Sequence, residues 1–71
     1  MEIKSGELAH IPASTILKKF AKDDTLTEVQ CWAVTKVPRT LLVVEQKKNY
    51  YKVLYEGESW FVEKNEAFSM E

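Results

Sequence analysis

The stretch Asn49–Phe61, NYYKVLYEGESWF, holds all three tyrosines of the chain, one of its two tryptophans and one of its two glycines. It reads as two short strands joined by a tight turn at Glu56-Gly57-Glu58-Ser59, where Gly57 tolerates the positive φ that such turns demand. Alternation puts Tyr51, Val53 and Tyr55 on one face of the first strand and Tyr50, Lys52 and Leu54 on the other. Past the turn the second strand runs through Trp60-Phe61-Val62. Aromatic mass gathered in one hairpin of a small protein places the core there, with Tyr51, Val53 and Val62 facing inward.

Outward from this hairpin the chain keeps a strand-and-turn rhythm. Asn65–Phe68 reads as a last short strand or a 3₁₀ turn, and residues 69–71 as a frayed end. Upstream, Lys47-Lys48-Asn49 is a polar turn. Thr40–Gln46, TLLVVEQ, is the most apolar run, which predicts burial on both faces. Val37-Pro38-Arg39 is a turn signal. Within Leu26–Lys36, Val29, Cys31 and Ala33 form a small apolar face expected to point inward. Glu28, Gln30, Trp32 and Val34 lie opposite, with Trp32 on the outer face or its rim.

The segment 13–24 is readable two ways. Ile16, Leu17, Phe20 and Ala21 lie at helical spacing behind a capping Ser14. The β-branched Thr15 and Ile16, and Asp23-Asp24 at what would be the negative end of a helix dipole, favour a strand. A strand is the preferred reading and a single helical turn the alternative. Residues 21–25 read as a loop tip. Residues 7–11 form a first strand, ended by Pro12, which lacks the N–H a ladder needs. Residues 1–6 are polar and expected to fray. Five or six short strands with turns every several residues predict an all-β fold, a small antiparallel barrel.

At 71 residues only one domain fits, spanning 1–71. A chain of this length buries roughly 60% of its unfolded surface, which leaves no room for a deep cleft between two layers. Apolar residues make up 45% and charged residues 30% of the chain, a globular composition. The formal net charge of −1 lacks the basic excess of a general nucleic-acid binder. One cysteine, Cys31, forms no internal disulfide and fits a reducing compartment. The opening MEIKSGEL has no apolar run, and no stretch approaches a membrane span, so a cytoplasmic location is expected.

The run Asn49-Tyr50-Tyr51-Lys52-Val53, followed by Gly57 and Trp60-Phe61-Val62, resembles the C-terminal hairpin of SH3-like barrels of the bacterial SH3 type. There an aromatic pair, Lys and Val precede a Gly turn and a Trp-x-Val strand. Thr40–Glu45 occupies the place of the preceding strand, and 13–36 that of the long hairpin such barrels insert after the first strand. The resemblance covers residues 40–63 closely and the rest loosely. Ser59 stands where the family usually has Gly before the Trp, and the segment around Asp23-Asp24 lacks the Pro- and acid-rich signature of peptide-binding SH3 domains. The resemblance therefore implies fold more than ligand. Small tailed-bacteriophage proteins have a similar overall style, which adds a virion component to the functions to be weighed.

No constellation of residues supports catalysis. Cys31 and His10 would have to approach within hydrogen-bond reach and be oriented by a third group. A single His and a single Cys do not fill a structural zinc site. Exposed turn carboxylates such as Glu56 and Glu58 lack the cleft that tunes a general acid. No cofactor or metal is expected. What exceeds the needs of folding is aromatic and apolar: Trp32, Tyr50, Leu54 and Trp60 form the candidate binding surface, for a protein partner or for further copies of the chain. Whether the inserted hairpin covers this surface is open. Lys47, Lys48 and Lys52 beside Tyr50 form a local basic patch, and the alternative function is nucleic-acid binding through it.

Overall fold

The computed structural model describes residues 2–21 and 28–70. Within them lie seven strands and one short 3₁₀ turn: β1 (Leu8–Ile11), β2 (Ile16–Phe20), β3 (Val29–Val34), β4 (Arg39–Gln46), β5 (Tyr50–Tyr55), β6 (Glu58–Glu63), the turn Lys64–Glu66, and β7 (Phe68–Ser69). All pairings are antiparallel and join the strands into one sheet in the order β3-β2-β6-β5-β4-β1-β7. The all-β expectation holds. The sheet has more strands than the five or six expected, and it is not closed: β3 and β7 are its two edges.

The β5–β6 hairpin folds as read. Tyr55 pairs with Glu58 across a two-residue turn in which Glu56 has φ 51° and Gly57 φ 79°. Two successive positive φ values match the right-handed twist of the strands on either side. Tyr51, Val53 and Val62 all face the core, with Ile3, Ala9, Ile11, Leu17, Leu41, Val43 and Ala67.

β4 holds the two ends of the sheet together by changing partner along its length. Its first half pairs with β1, from Ile11↔Arg39 to Leu8↔Leu42. Its second half pairs with β5, from Val43↔Val53 to Gln46↔Tyr51, with an irregularity between Val43 and Glu45. The expectation that TLLVVEQ is buried on both faces fails. Leu41 and Val43 are buried, whereas Val44 is exposed and Leu42 half-buried. One face of β4 suffices for the core, and the outer face stays wet.

Both chain ends are better anchored than their polarity suggests. Ile3, placed among frayed residues by sequence reasoning, is only 2% exposed, and its N–H donates to the Tyr51 hydroxyl at 2.9 Å. Ser69, also expected to fray, pairs with Ala9. The two readings of Asn65–Phe68 are both partly realised, since the 3₁₀ turn leads directly into β7. Of the two readings of 13–24, the strand holds over Ile16–Phe20. The expected loop tip and the Asp23-Asp24 pair lie mostly outside the described residues.

Candidate functional site

The alternation of β2, β3, β5 and β6 gives the sheet an outer face opposite the core, and register fixes which residues share it. Trp32 pairs with Lys18, Lys18 with Phe61, and Phe61 with Lys52, so these four form one row across β3, β2, β6 and β5. Successive residues of β6 are both buried, Val62 by the core and Phe61 on this outer side. Phe61 is covered by Phe20 and Tyr50, whose rings meet it and each other edge to face at centroid separations of 5.2–6.4 Å. Such pairs add about 0.5–1.5 kcal/mol each beyond burial.

The question of cover therefore has a divided answer. The β2–β3 hairpin seals the middle of the outer face through Phe20, and Tyr50 becomes a half-buried member of that cluster. Lys18 Nζ and Lys52 Nζ lie 5.8 Å from the Tyr50 and Phe61 ring centroids respectively. Beyond the seal, Trp32 is 68% exposed. With Ile16, Val29 and the stem of Lys18 it lines a shallow apolar depression, and Val34, also exposed, lies beyond it on β3. Leu54 is exposed as well, at the far end of β5.

Sequence reasoning set Val34 on the face of Trp32 but missed Ile16 and Val29 as their neighbours there. The pairing Ile16↔Val34 sets these two together. Val29 joins them because the β2–β3 register slips between Lys19 and Phe20, so that Phe20 faces Val29 while Lys19 faces Cys31. A bulge of this kind shifts strict alternation by one residue. The legible signal was an uncharged strand around Trp32 with a β-branched valine at each end, Val29 and Val34.

The edge position of β3, and not the slip, corrects the expected burial of Cys31, which keeps the side of Ala33 in regular register. It was expected on an inward face with Val29 and Ala33. It is exposed, because among the described residues β3 has a neighbouring strand on one side only and Leu17 on β2 already fills the core beside it. His10 lies on β1, which does not pair with β3. Among the described residues no group of three or more His, Cys, Asp or Glu is placed to hold a metal ion.

Trp60 lies on the other side of the sheet from Trp32. It pairs with Val53, and its ring packs half-buried against the core together with Tyr55. Its Nε1 is buried with no hydrogen-bond partner among the described residues, while Lys19 Nζ sits 4.6 Å from the ring centroid. The lysines of the basic patch are dispersed. Lys47 forms an ion pair with Glu45, and Lys48 lines a separate depression with Asn49, Tyr50, Glu63, Lys64 and Asn65. Lys52 stands opposite Glu45 in the ladder and lines the depression floored by Phe20 and Phe61. No helix among the described residues is long and apolar enough to cross a membrane.

Comparison with protein-family models, with curated proteins and with solved structures returns no match to this chain. Its function is therefore argued from its own surface.

Proposed function

We propose that this chain is a non-enzymatic protein-binding or assembly module on an SH3-like β-fold, and that its contact surface is the apolar outer face of the β2–β3 hairpin. The observation that carries this reading is Trp32: a tryptophan 68% exposed, ringed by Ile16, Val29 and Val34, on a sheet whose core is already filled by other residues. Exposed apolar clusters with an aromatic at the centre are what protein partners dock on, and tryptophan is among the commonest anchors. Leu54 and the exposed rim of Tyr50 extend the surface along β5. The SH3-like assignment is supported by the position of the β2–β3 hairpin, inserted between β1 and β4 where such barrels carry theirs, and by the β4–β5–β6 meander over the residues of closest resemblance.

Protein is favoured over nucleic acid because carboxylates interleave with the lysines of the outer face. Lys18 Nζ lies 3.7 Å from Glu63, and Lys52 faces Glu45 across the ladder. A backbone-binding groove needs an unbroken positive field. The test is retention from the native source on immobilised chain, comparing the unchanged protein with Trp32→Asp and with Lys48→Glu. The reading expects a protein whose retention is lost with Trp32→Asp and kept with Lys48→Glu. Retained DNA or RNA that elutes with rising salt and depends on Lys48 would replace it with the nucleic-acid alternative. Co-sedimentation with a large particle would make the module a structural component, including of a virion.

A further inference from the structure

Among the described residues β3 pairs with β2 alone, so the β2–β3 hairpin is held to the rest of the sheet through β2. That attachment is narrow. β2 meets β6 in one registered pair, Lys18↔Phe61, whereas β5 and β6 share six. Past Lys18 lies a depression lined by Phe20 and Gln30 from the hairpin and by Lys52, Ser59 and Phe61 from β5 and β6. Within itself the hairpin is well bonded, from Ile16↔Val34 to Phe20↔Val29. Its share of the core is small. Among the described residues, Leu17 and Phe20 are its only buried apolar side chains. Leu17 alone joins the core cluster, whose other nine members lie outside the hairpin. Phe20 sits near the far end of β2, edge to face on Phe61 and Tyr50. The polar contacts across the seam, Lys18 with Glu63 at 3.7 Å and Lys19 with Glu58, join exposed or half-exposed groups and contribute little. At the base both legs hang from one atom. The Pro12 carbonyl oxygen accepts from the Thr15 hydroxyl at 2.7 Å and from the Thr35 hydroxyl at 2.8 Å. Ser14, between them, has φ 65°, a conformation that costs a residue with a Cβ. It is held there by its N–H, which donates to the Thr35 carbonyl at 2.7 Å.

We infer that the β2–β3 hairpin is a latched unit: it releases and closes again about Pro12 while the rest of the sheet stays folded, with Phe20 as its latch. A narrow attachment, a ladder of its own and a single side chain in the core cluster divide a fold into units of unequal stability. Release exposes Leu17, uncovers Phe61 and frees Ser14 from its constrained φ. It leaves the other nine cluster residues in place. A detached two-stranded hairpin is marginal in water, so release also melts it. The consequence for function rests on the docking reading above. Ile16, Val29, Trp32 and Val34 all lie on this unit, whereas Tyr50 and Leu54 lie on β5. The docking surface is whole only while Phe20 sits on Phe61. A partner that spans both parts binds the latched form, and its apparent affinity falls with the latched fraction. Release is thus a switch on docking, and a bound partner in turn holds the latch shut.

Hydrogen exchange of the unchanged chain across a urea series below its unfolding transition tests the unit without any partner. The hydrogen-bonded amides of β2 and β3 are expected to exchange at least about tenfold faster than those of β4 and β5. Their urea dependence is weaker, and the two sets merge near the transition. Tyr51→Phe removes an acceptor outside the hairpin and separates the two routes. It speeds the β4 and β5 amides about five- to a hundredfold and leaves those of β2 and β3 within about twofold. Phe20→Leu keeps an apolar side chain but loses the ring contacts, and speeds the β2 and β3 amides about tenfold. One exchange class with one urea dependence for all strands overturns the inference. So do β2 and β3 amides that accelerate with those of β5 in Tyr51→Phe. An unmoved β2 and β3 rate in Phe20→Leu overturns Phe20 as the latch. One class in a chain that still retains a protein through Trp32 removes the switch and leaves the docking reading standing. Two classes in a chain that retains nothing uphold the latched unit and remove its role in docking.

Discussion

The N–H of Ile3 donates a hydrogen bond to the hydroxyl of Tyr51, 48 residues later, at 2.9 Å in the buried core. This bond ties the start of the chain to the central strand of the meander and satisfies a backbone donor that burial cuts off from water. Tyr51→Phe keeps the ring and removes the acceptor. An unsatisfied buried N–H costs about 1–3 kcal/mol, and about 4–8 °C of Tm is lost per kcal/mol in a domain of this size. A thermal melt of Tyr51→Phe that coincides with that of the unchanged protein would show that water replaces the hydroxyl. Ile3→Ala, which empties a core position, is expected to cost about 2–5 kcal/mol.

Thr35 is fully buried and closes the base of the β2–β3 hairpin. Its Oγ1 accepts from the Thr15 N–H at 3.0 Å and donates to the Pro12 carbonyl at 2.8 Å, and the Thr15 hydroxyl also donates to Pro12, at 2.7 Å. Thr35→Val preserves shape and strands the Thr15 N–H, at about 1–3 kcal/mol. Hydrogen exchange should then speed up most at the amides of β2 and β3, the elements this network fixes to the end of β1. Uniform acceleration across all strands would mean that the hairpin opens only with global unfolding.

The β5–β6 turn stores strain at Glu56, whose φ of 51° lies in the left-handed region. That conformation costs a residue with a Cβ roughly 1–2 kcal/mol, less for asparagine. Glu56→Asn creates the Asn-Gly pair that this turn type prefers and should raise stability by about 0.5–1 kcal/mol. Urea denaturation with an unchanged m-value and a higher midpoint is the expected outcome.

The two tryptophans should separate cleanly. Trp60→Ala removes a ring packed against the core and is expected to cost about 3 kcal/mol or more, a large share of what a domain of this size holds. Trp32→Ala, at an exposed position, should change the stability of the single chain by less than about 0.5 kcal/mol. Denaturant titrations at a concentration too low for association compare them. Equal losses would place Trp32 in the packing of the fold and remove it as a docking residue.

The sequence by itself determined the local structure wherever one rule spoke alone. Period-two alternation and a glycine turn located β5 and β6 and their inward residues Tyr51, Val53 and Val62. Pro12 marked the end of β1, and the β-branched residues favoured β2 as a strand over a helical turn. What only the tertiary structure decided is which faces are covered. The neighbour of a strand in a sheet is set by chain topology, which alternation does not encode, so β3 became an edge, Cys31 came to the surface, and the apolar run of β4 was buried on one side only. A one-residue register slip moved Val29 to the side of Trp32. Phe20 closed over Phe61 and Tyr50, leaving Trp32 outside the seal. The candidate surface was thus half legible: its central residue was visible in the chain, and its boundary was drawn by packing between segments far apart in sequence.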